Sequence, residues 1–481
     1  MPPLKLVCAL ATILSAYCAI LPARATDAIP EPDREFRAAW IATVHNLDWP
    51  SKPGLSVAAQ QAELRQLLDL ASSLNLNAVI LQVRPAGDAL YASRLEPWSP
   101  FLTGKMGVSP GYDPLAFAVA EAHRRGLELH AWFNPFRAQA AKDHPPTGQH
   151  LAALHPEWVR NYGGTRWFDP GEPGVRTHAL SVVRDVVRRY DIDGVHIDDY
   201  FYPYPSGAKE FPDEATHKRY GGGKERNEWR RGNTNAFVSA LYQAVKMDKP
   251  SVKVGISPFG IWRPGYPAGV KGLDSFEQIA ADSRHWLRQG WCDYMTPQLY
   301  WRIDSPQQSF ASLLRWWQSE NVSDRCLWPG MATARIGSRE DRKRSAGEIV
   351  KQIELSRGGT GGNGHVHWSI SSLSKDRGGI VSQLKNGKYA RKAVVPATPW
   401  LGRHAPLPPT VTRNGAQFQV QPSADSRWLV VQARRAGRWE TATVSKANSG
   451  PLSMPVGADA VAVRSQSASG VLSPAVVIAG S

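Results

Sequence analysis

Between Phe36 and about Ala390 the chain alternates short β-branched runs with segments of helical periodicity, and this alternation constrains its fold more than any other feature. Strands joined through helices need crossover connections, which make neighbouring strands parallel and bury both faces of the sheet. Eight runs qualify as strands: Ala38–Val44, Ala78–Val83, Glu128–Phe133, Gly194–Asp198, Lys253–Ser257, Tyr294–Leu299, Leu327–Ala332 and Val366–Ile370. Gln60–Leu74 puts Leu64, Leu67, Leu68, Leu70 and Ala71 on one face, and His178–Tyr190 does the same with Val182, Val183, Val186 and Val187, so both are expected helices. Eight strands and eight helices over about 350 residues predict an α/β fold, a (β/α)8 TIM barrel with long loops after the strands. Three such loops, His144–Phe168, Tyr200–Arg231 and Pro258–Ala281, are rich in Gly, Pro, Trp and Tyr. In a barrel these loops build the face that carries the active site.

The flanks have a different character. Lys5 precedes an apolar run, Leu6–Leu21, too short for a bilayer span, and Ala23-Arg24-Ala25 fits a small-x-small cleavage site. Residues 1–25 are therefore expected to be a signal peptide cleaved after Ala25, which makes the protein periplasmic or secreted. Lipid attachment at Cys18 is disfavoured because Tyr17 stands where a small residue is needed. The barrel is expected over residues 34–395. Pro396, Pro399, Pro406, Pro408 and Pro409 make 396–409 a stiff linker. Short alternating runs in 410–481 predict a small all-β sandwich, fibronectin-III-like, with no catalytic constellation. Cys292 and Cys326 remain after processing, near the starts of neighbouring expected strands. A disulfide and two buried thiols are equally open. The formal charge of +15 falls to +13 without Lys5 and Arg24 and suits an anionic polymer or the cell envelope. The basic residues are scattered and no nucleic-acid motif is present.

The strongest chemical signal is Asp191-Ile-Asp-Gly-Val-His-Ile-Asp-Asp-Tyr200. Alternate strand residues share a face, so His196 and Asp198 point into the barrel if Val195 and Ile197 point to the helices. Asp198 and Asp199 then lie at the carboxyl end of the fourth strand, before an aromatic loop, Tyr200-Phe201-Tyr202-Pro203-Tyr204. Adjacent carboxyls resist double ionisation, so one can stay protonated near neutrality beside an ionised neighbour. Other strand ends supply candidate sugar ligands: Arg84, His130 and Asn134, Trp262, then Gln298, Tyr300 and Trp301. His130 reads equally well as a core histidine, and Arg84 as a partner of Asp198. Sixteen of eighteen tryptophans precede residue 401, and Trp167, Trp262 and Trp301 fall in strand-end loops where flat rings can face sugars. The chain lacks a phosphate-binding loop and a Gly-x-Ser-x-Gly elbow. His365 and His367 with Asp198 offer a metal-site alternative, but without a third histidine at useful spacing no metal and no cofactor are expected.

At these residues a family pattern is visible. Phe36–Pro50, Gln82–Asp88, Pro110–Pro114, His130–Pro135, Asp193–Tyr202, Ile256–Arg263 and Tyr294–Trp301 resemble, in order, blocks of the family-10-like glycosyl hydrolases, long catalogued as a domain of unknown function. Within that family the chain resembles the divisome-localised members. The resemblance implies a (β/α)8 fold and hydrolysis of peptidoglycan glycan strands from which stem peptides have been removed. It also implies contact with the cell envelope or division machinery, and a monomer is expected. The C-terminal β region lies outside the similarity. No acid closes the fifth strand, so the adjacent pair suggests retention assisted by the 2-acetamido group of the substrate. Asp199 would be the general acid, Asp198 would orient the acetamido nitrogen, and Tyr300 would bond its carbonyl. Asp169 or Asp88 could instead serve as a second acid in a two-carboxylate mechanism. A glycan-binding protein without catalysis would use the same groove.

Overall fold

The structure, a computed structural model, describes residues 29–140, 145–359, 361–414, 417–448 and 450–479. The expected signal peptide, residues 1–25, lies outside the described residues. The protein is mixed α/β. Nine strands form one parallel sheet: β1 (Phe36–Ile41), β2 (Ala78–Arg84), β3 (Glu128–Phe133), β4 (Gly194–Ile197), β5 (Lys253–Ile256), β6 (Tyr294–Met295), β7 (Cys326–Leu327), β8 (Gly330–Met331) and β9 (Gly364–His367). Their spatial order is β7-β6-β5-β4-β3-β2-β1-β9-β8. The edge strands β7 and β8 are separated in the chain only by Trp328-Pro329, where proline has no N–H for the ladder. One expected strand is thus split between the two edges, which come together as the sheet curls. Strand one ends three residues early because Thr43 and Val44 turn their N–H groups to the Gln82 side chain, at 3.1 and 2.9 Å.

Both faces of the sheet are covered. Val195 and Ile197 pack outward with Leu64, Val182 and Val183 from the helices, whereas Phe36, Ala38, Trp40, Ile80, Trp132 and Tyr294 fill the interior. The outer helices are α1 (Val57–Ser73), α2 (Pro114–Arg124), α3 (Pro173–Arg189), α4 (Arg226–Asp248), α5 (Ser283–Arg288), α6 (Phe310–Glu320) and α7 (Ala346–Ser356). Ser56 caps α1 by accepting from Ala59 N–H, and Asp113 caps α2 through Ala116 N–H. All three expected loops hold regular structure, that over Pro258–Ala281 a single helical turn at Ser275–Gln278. Arg137–Gln139, Val159–Tyr162 and Thr165–Phe168 form a small antiparallel sheet. The first turns of α4 occupy the end of the expected loop Tyr200–Arg231. Their apolar period is broken by Arg226 and Arg230, whose partner is the buried Asp213.

Residues after 409 form a three-stranded and a four-stranded antiparallel sheet. Segment 396–409 is not a free spacer: Trp400 Nε1 donates to Asp293 at 2.8 Å, and Thr398 N–H to the Ser469 carbonyl at 2.7 Å. Cys292 and Cys326 are buried, unbridged thiols. Among the described residues no helix is long and apolar enough to cross a membrane.

Candidate active site

The fourth strand carries the site because β4 ends at Ile197 and releases two consecutive carboxyls at the mouth of the curled sheet. Asp198 and Asp199 are both buried. Asp198 Oδ2 accepts from Trp132 Nε1 at 3.0 Å and from Asn134 Nδ2 at 3.1 Å. Asn134 is itself fixed, its Oδ1 accepting from Arg137 N–H at 2.8 Å. Asp199 accepts a short hydrogen bond from the Tyr204 hydroxyl, and the Gln298 side chain also favours its ionised form. Burial, then the negative charge of Asp199, pushes Asp198 up to about 7, while Arg137, Trp132 and Asn134 pull the other way. Burial raises Asp199 as well, opposed by Tyr204 and Gln298. The pair therefore keeps a proton near neutrality, shared between the two carboxyls.

Above the pair opens a cleft of about 660 Å3. Trp40, Trp132 and Trp368 line its floor; Tyr200, Tyr204, Phe259 and Trp301 flank it; Gln298 and Tyr300 add polar groups. Gly260 permits this packing, since a Cβ there would lie 2.3 Å from the Gln298 carbonyl oxygen and 2.9 Å from the Trp301 ring. Flat rings around two carboxyls suit a sugar, whose apolar faces stack while its hydroxyls seek polar partners.

The structure brings together five of the nine residues singled out from the sequence: Asp198, Asp199, Gln298, Tyr300 and Trp301 line the cleft. Asn134 stands beneath it, holding Asp198. Three lie elsewhere. Arg84 is fully buried, paired through Nε and Nη2 with Glu96 at 2.8 and 2.5 Å, and its Nη1 donates to the Asn134 carbonyl. It supports the end of β3 and touches neither Asp198 nor the cleft. His130 is a core histidine inside an oriented chain. Trp40 Nε1 donates to His196 Nε2 at 3.1 Å, leaving the His196 Nδ1 hydrogen for the Tyr294 hydroxyl at 3.0 Å. Tyr294 in turn donates to His130 Nδ1 at 2.8 Å, and His130 Nε2 to Glu128 at 3.0 Å. Burial holds His196 well below its ordinary value, hence neutral. Trp262 donates to Asp282 at 3.0 Å and stacks on Trp316, away from the carboxyl pair.

Neither proposed second acid lines the cleft. Asp169 accepts from Thr216 at 2.6 Å and pairs with Arg160 at 2.9 Å, and Asp88 caps Ala86 N–H at 2.8 Å. His365 and His367 face away from Asp198 and share the Tyr389 hydroxyl. Among the described residues no group of three or more His, Cys, Asp or Glu could hold a metal ion. Trp167 stacks behind Tyr200, with Arg137 over both rings. Trp40, Trp132, Trp368 and Tyr204 escaped the site reading. The available signal was strand parity, which puts Trp132 on the same face as His130 and one pleat from Asn134.

The amino-acid sequence has counterparts among known proteins. A family model described as glycosyl hydrolase-like 10 matches residues 35–345. Glycosyl hydrolase YngK of Bacillus subtilis (strain 168) is 42% identical over 414 residues, 81% of this chain and 80% of that one. Glycosyl hydrolase DigH of Escherichia coli (strain K12) is 36% identical over 356 residues, 68% of this chain and 81% of that one. Among solved structures, the glycoside hydrolase domain of PgaB (BpsB) from Bordetella bronchiseptica aligns with a TM-score of 0.46 at 13% identity, over 74% of this chain and 98% of that one.

Proposed function

We propose that this chain, which belongs to the glycosyl hydrolase-like 10 family, is an exported glycoside hydrolase that cuts peptidoglycan glycan strands, and peptide-stripped ones in particular. The observation that carries the reading is the pair of adjacent, buried carboxyls at the floor of an aromatic cleft. We read the curled sheet, its edges joined through Trp328-Pro329, as a closed (β/α)8 barrel, and the C-terminal sheets as a fibronectin-III-like sandwich. Export rests on Lys5, the apolar run Leu6–Leu21 and the site at Ala25. The protein acts as a monomer on cell-envelope glycan, without a cofactor.

The chemistry follows from the two carboxyl environments. A 2-acetamido sugar bound with its N–H toward Asp198 favours the ionised form there, so the shared proton settles on Asp199. Asp199 then protonates the leaving glycosidic oxygen as general acid. Ionised Asp198 holds the acetamido nitrogen while the acetamido oxygen attacks the anomeric carbon, and the Tyr300 hydroxyl bonds that carbonyl. Water opens the cyclic intermediate and returns the proton to the pair. Trp132 and Asn134 already donate to Asp198, so its ionised form is prepared before substrate arrives.

The test incubates the purified protein with intact and with peptide-stripped peptidoglycan and identifies soluble products by mass spectrometry. Peptide-free oligosaccharides from the stripped substrate alone are expected. Binding without new reducing ends from either substrate would move the function to glycan recognition.

A further inference from the structure

The aromatic surfaces and the carboxyl pair account for most of the cleft, but one wall has a different chemistry. The turn after β8 and the segment after β9 bring Arg335, Arg339 and Arg377 into the lining. Two of them are tethered by backbone. Arg335 Nη1 donates to the Tyr300 carbonyl at 3.2 Å, and Arg377 Nη1 to the Ala334 carbonyl at 3.0 Å. A guanidinium has five N–H donors, so each keeps most of its fork for another acceptor. The one carboxylate on this wall, Glu340, is largely exposed and lies 3.8 Å from Arg335. Beyond it, a second depression of about 380 Å3 shares Tyr300, Trp301, Arg335 and Glu340 with the cleft and adds Arg342, Lys343 and the Arg344–Asp341 ion pair. Three guanidinium groups facing one cleft repel one another unless an anion joins them, and a carboxylate matches the fork in two parallel bonds.

We propose that Arg335, Arg339 and Arg377 form a carboxylate-reading rim that selects glycans bearing a free carboxyl on the sugar bound beside the Asp198–Asp199 pair. The inference rests on the glycan reading of the cleft and narrows its substrate to acidic glycans. Two sources offer this chemistry: a lactyl ether on a 2-acetamido sugar, whose carboxyl is freed when a stem peptide is removed, and the ring carboxyl of a uronic acid. On the first source, the rim explains a preference for peptide-stripped strands, because an amide-linked peptide abolishes the charge that the arginines read.

The experiment measures binding by calorimetry to the full-length Asp199→Asn protein, with wild-type hydrolysis assayed in parallel. The probes are peptide-free oligosaccharides containing N-acetylmuramic acid, the same oligosaccharides with the carboxyl converted to an amide, hyaluronan oligosaccharides and neutral chitin oligosaccharides. The free acid is expected to bind at least about tenfold more tightly than its amide, the worth of a charge-assisted contact. Arg377→Gln and Arg335→Gln should each erase most of that gap and leave chitin binding unchanged. The exposed Arg339→Gln, which cannot disturb the core, should narrow it. Equal binding of acid and amide, loss on all four probes alike in the arginine variants, or no binding of any probe overturns the rim. Cutting without acid selectivity removes the rim and keeps the hydrolase, whereas acid-selective binding without cutting keeps the rim and removes the hydrolase. Selectivity for hyaluronan alone keeps the rim and replaces the peptidoglycan substrate.

Discussion

Single residues decide where the proton of the site resides. With Asp198 pushed up to about 7 by burial and by Asp199, the pair loses its last proton as pH rises past that value. On the proposed mechanism the general acid disappears with it, so kcat/KM is expected to fall through about pH 7 on the basic side. Tyr204 donates to Asp199 and favours its ionised form. Tyr204→Phe removes that donor, so the pair holds its proton more tightly and the basic limb should move up by about one pH unit, the worth of one charge-assisted bond. A pH–rate profile with an unmoved limb would show that Tyr204 does not act on the titrating carboxyl. Asp199→Asn removes the acid itself and should cut kcat by about 10²–10⁴ with the fold intact by circular dichroism. The same proton sets a stability trend. The folded protein binds the Asp198 proton more tightly than the unfolded chain does. The resulting stabilisation is complete below about pH 4 and is lost as pH rises through about 7. Asp198→Asn cannot lose it, so the Tm difference between variant and parent should shift toward the variant from pH 5 to pH 8. A difference that stays constant over that range contradicts the buried, proton-holding Asp198.

Elements show what a sequence can and cannot disclose. β4 was legible at both ends. Asp193, before it, accepts from His123 at 2.8 Å and Leu129 N–H at 2.8 Å, and Asp198, after it, faces the cleft. Strand parity sufficed to turn Val195 and Ile197 outward and His196 inward. Position at a strand end did not suffice for Arg84, because its partner, Glu96, stands in a loop with no periodicity to mark it. His130, left open between sugar ligand and core histidine, is the latter, and Trp262 stands off the cleft for the same reason: Glu128, Tyr294 and Asp282 claim their polar atoms through three-dimensional neighbours that spacing does not encode. The three floor tryptophans were hidden by their own character, since an aromatic residue in a buried strand looks like core until the mouth of the curled sheet is located. Arg84 yields a quantitative expectation. Arg84→Met leaves the Glu96 carboxylate, held down to about 2 in the folded protein, buried with only His178 beside it at 3.0 Å. Removing one partner of a buried pair costs about 3–5 kcal/mol. Denaturant unfolding should show that loss, and the Arg84→Met/Glu96→Gln double variant should recover much of it. Because Arg84 also grips the Asn134 carbonyl, kcat should fall in both variants.

The whole molecule separates chemistry from support along the axis of the sheet. Residues after 409 dock at the end where β4 begins, opposite the cleft. Arg427 pairs with Asp193 at 2.6 Å and also with Asp191, Lys446 meets Asp191 at 2.9 Å, and Trp428 sets its ring edge-on to His123. Gly126 lets the two surfaces touch. Its φ is +71°, and a Cβ there would lie 2.2 Å from the Val444 carbonyl oxygen. An alanine at that position is strained by its backbone and blocked by its neighbour, so Gly126→Ala should pry the C-terminal sheets from the curled sheet and its helices. Arg427→Ala should act at the same seam by removing a charge from Asp193, whose carboxyl is held far below its usual range by Arg427 and His123 against burial. Such a group stabilises the fold above about pH 4 and loses that contribution as pH falls, so the Arg427→Ala defect should be largest near neutrality and shrink in acid. At pH 7 its cost should be about 3–5 kcal/mol, with kcat within about twofold of the parent, because no residue lining the cleft contacts this seam. Limited proteolysis gives the decisive readout. Both variants should be cut faster within 396–409, where Trp400 and Thr398 now hold the segment down. Cleavage no faster than in the parent, alongside a large fall in kcat, would mean that the C-terminal sheets shape the cleft rather than brace the far end of the curled sheet.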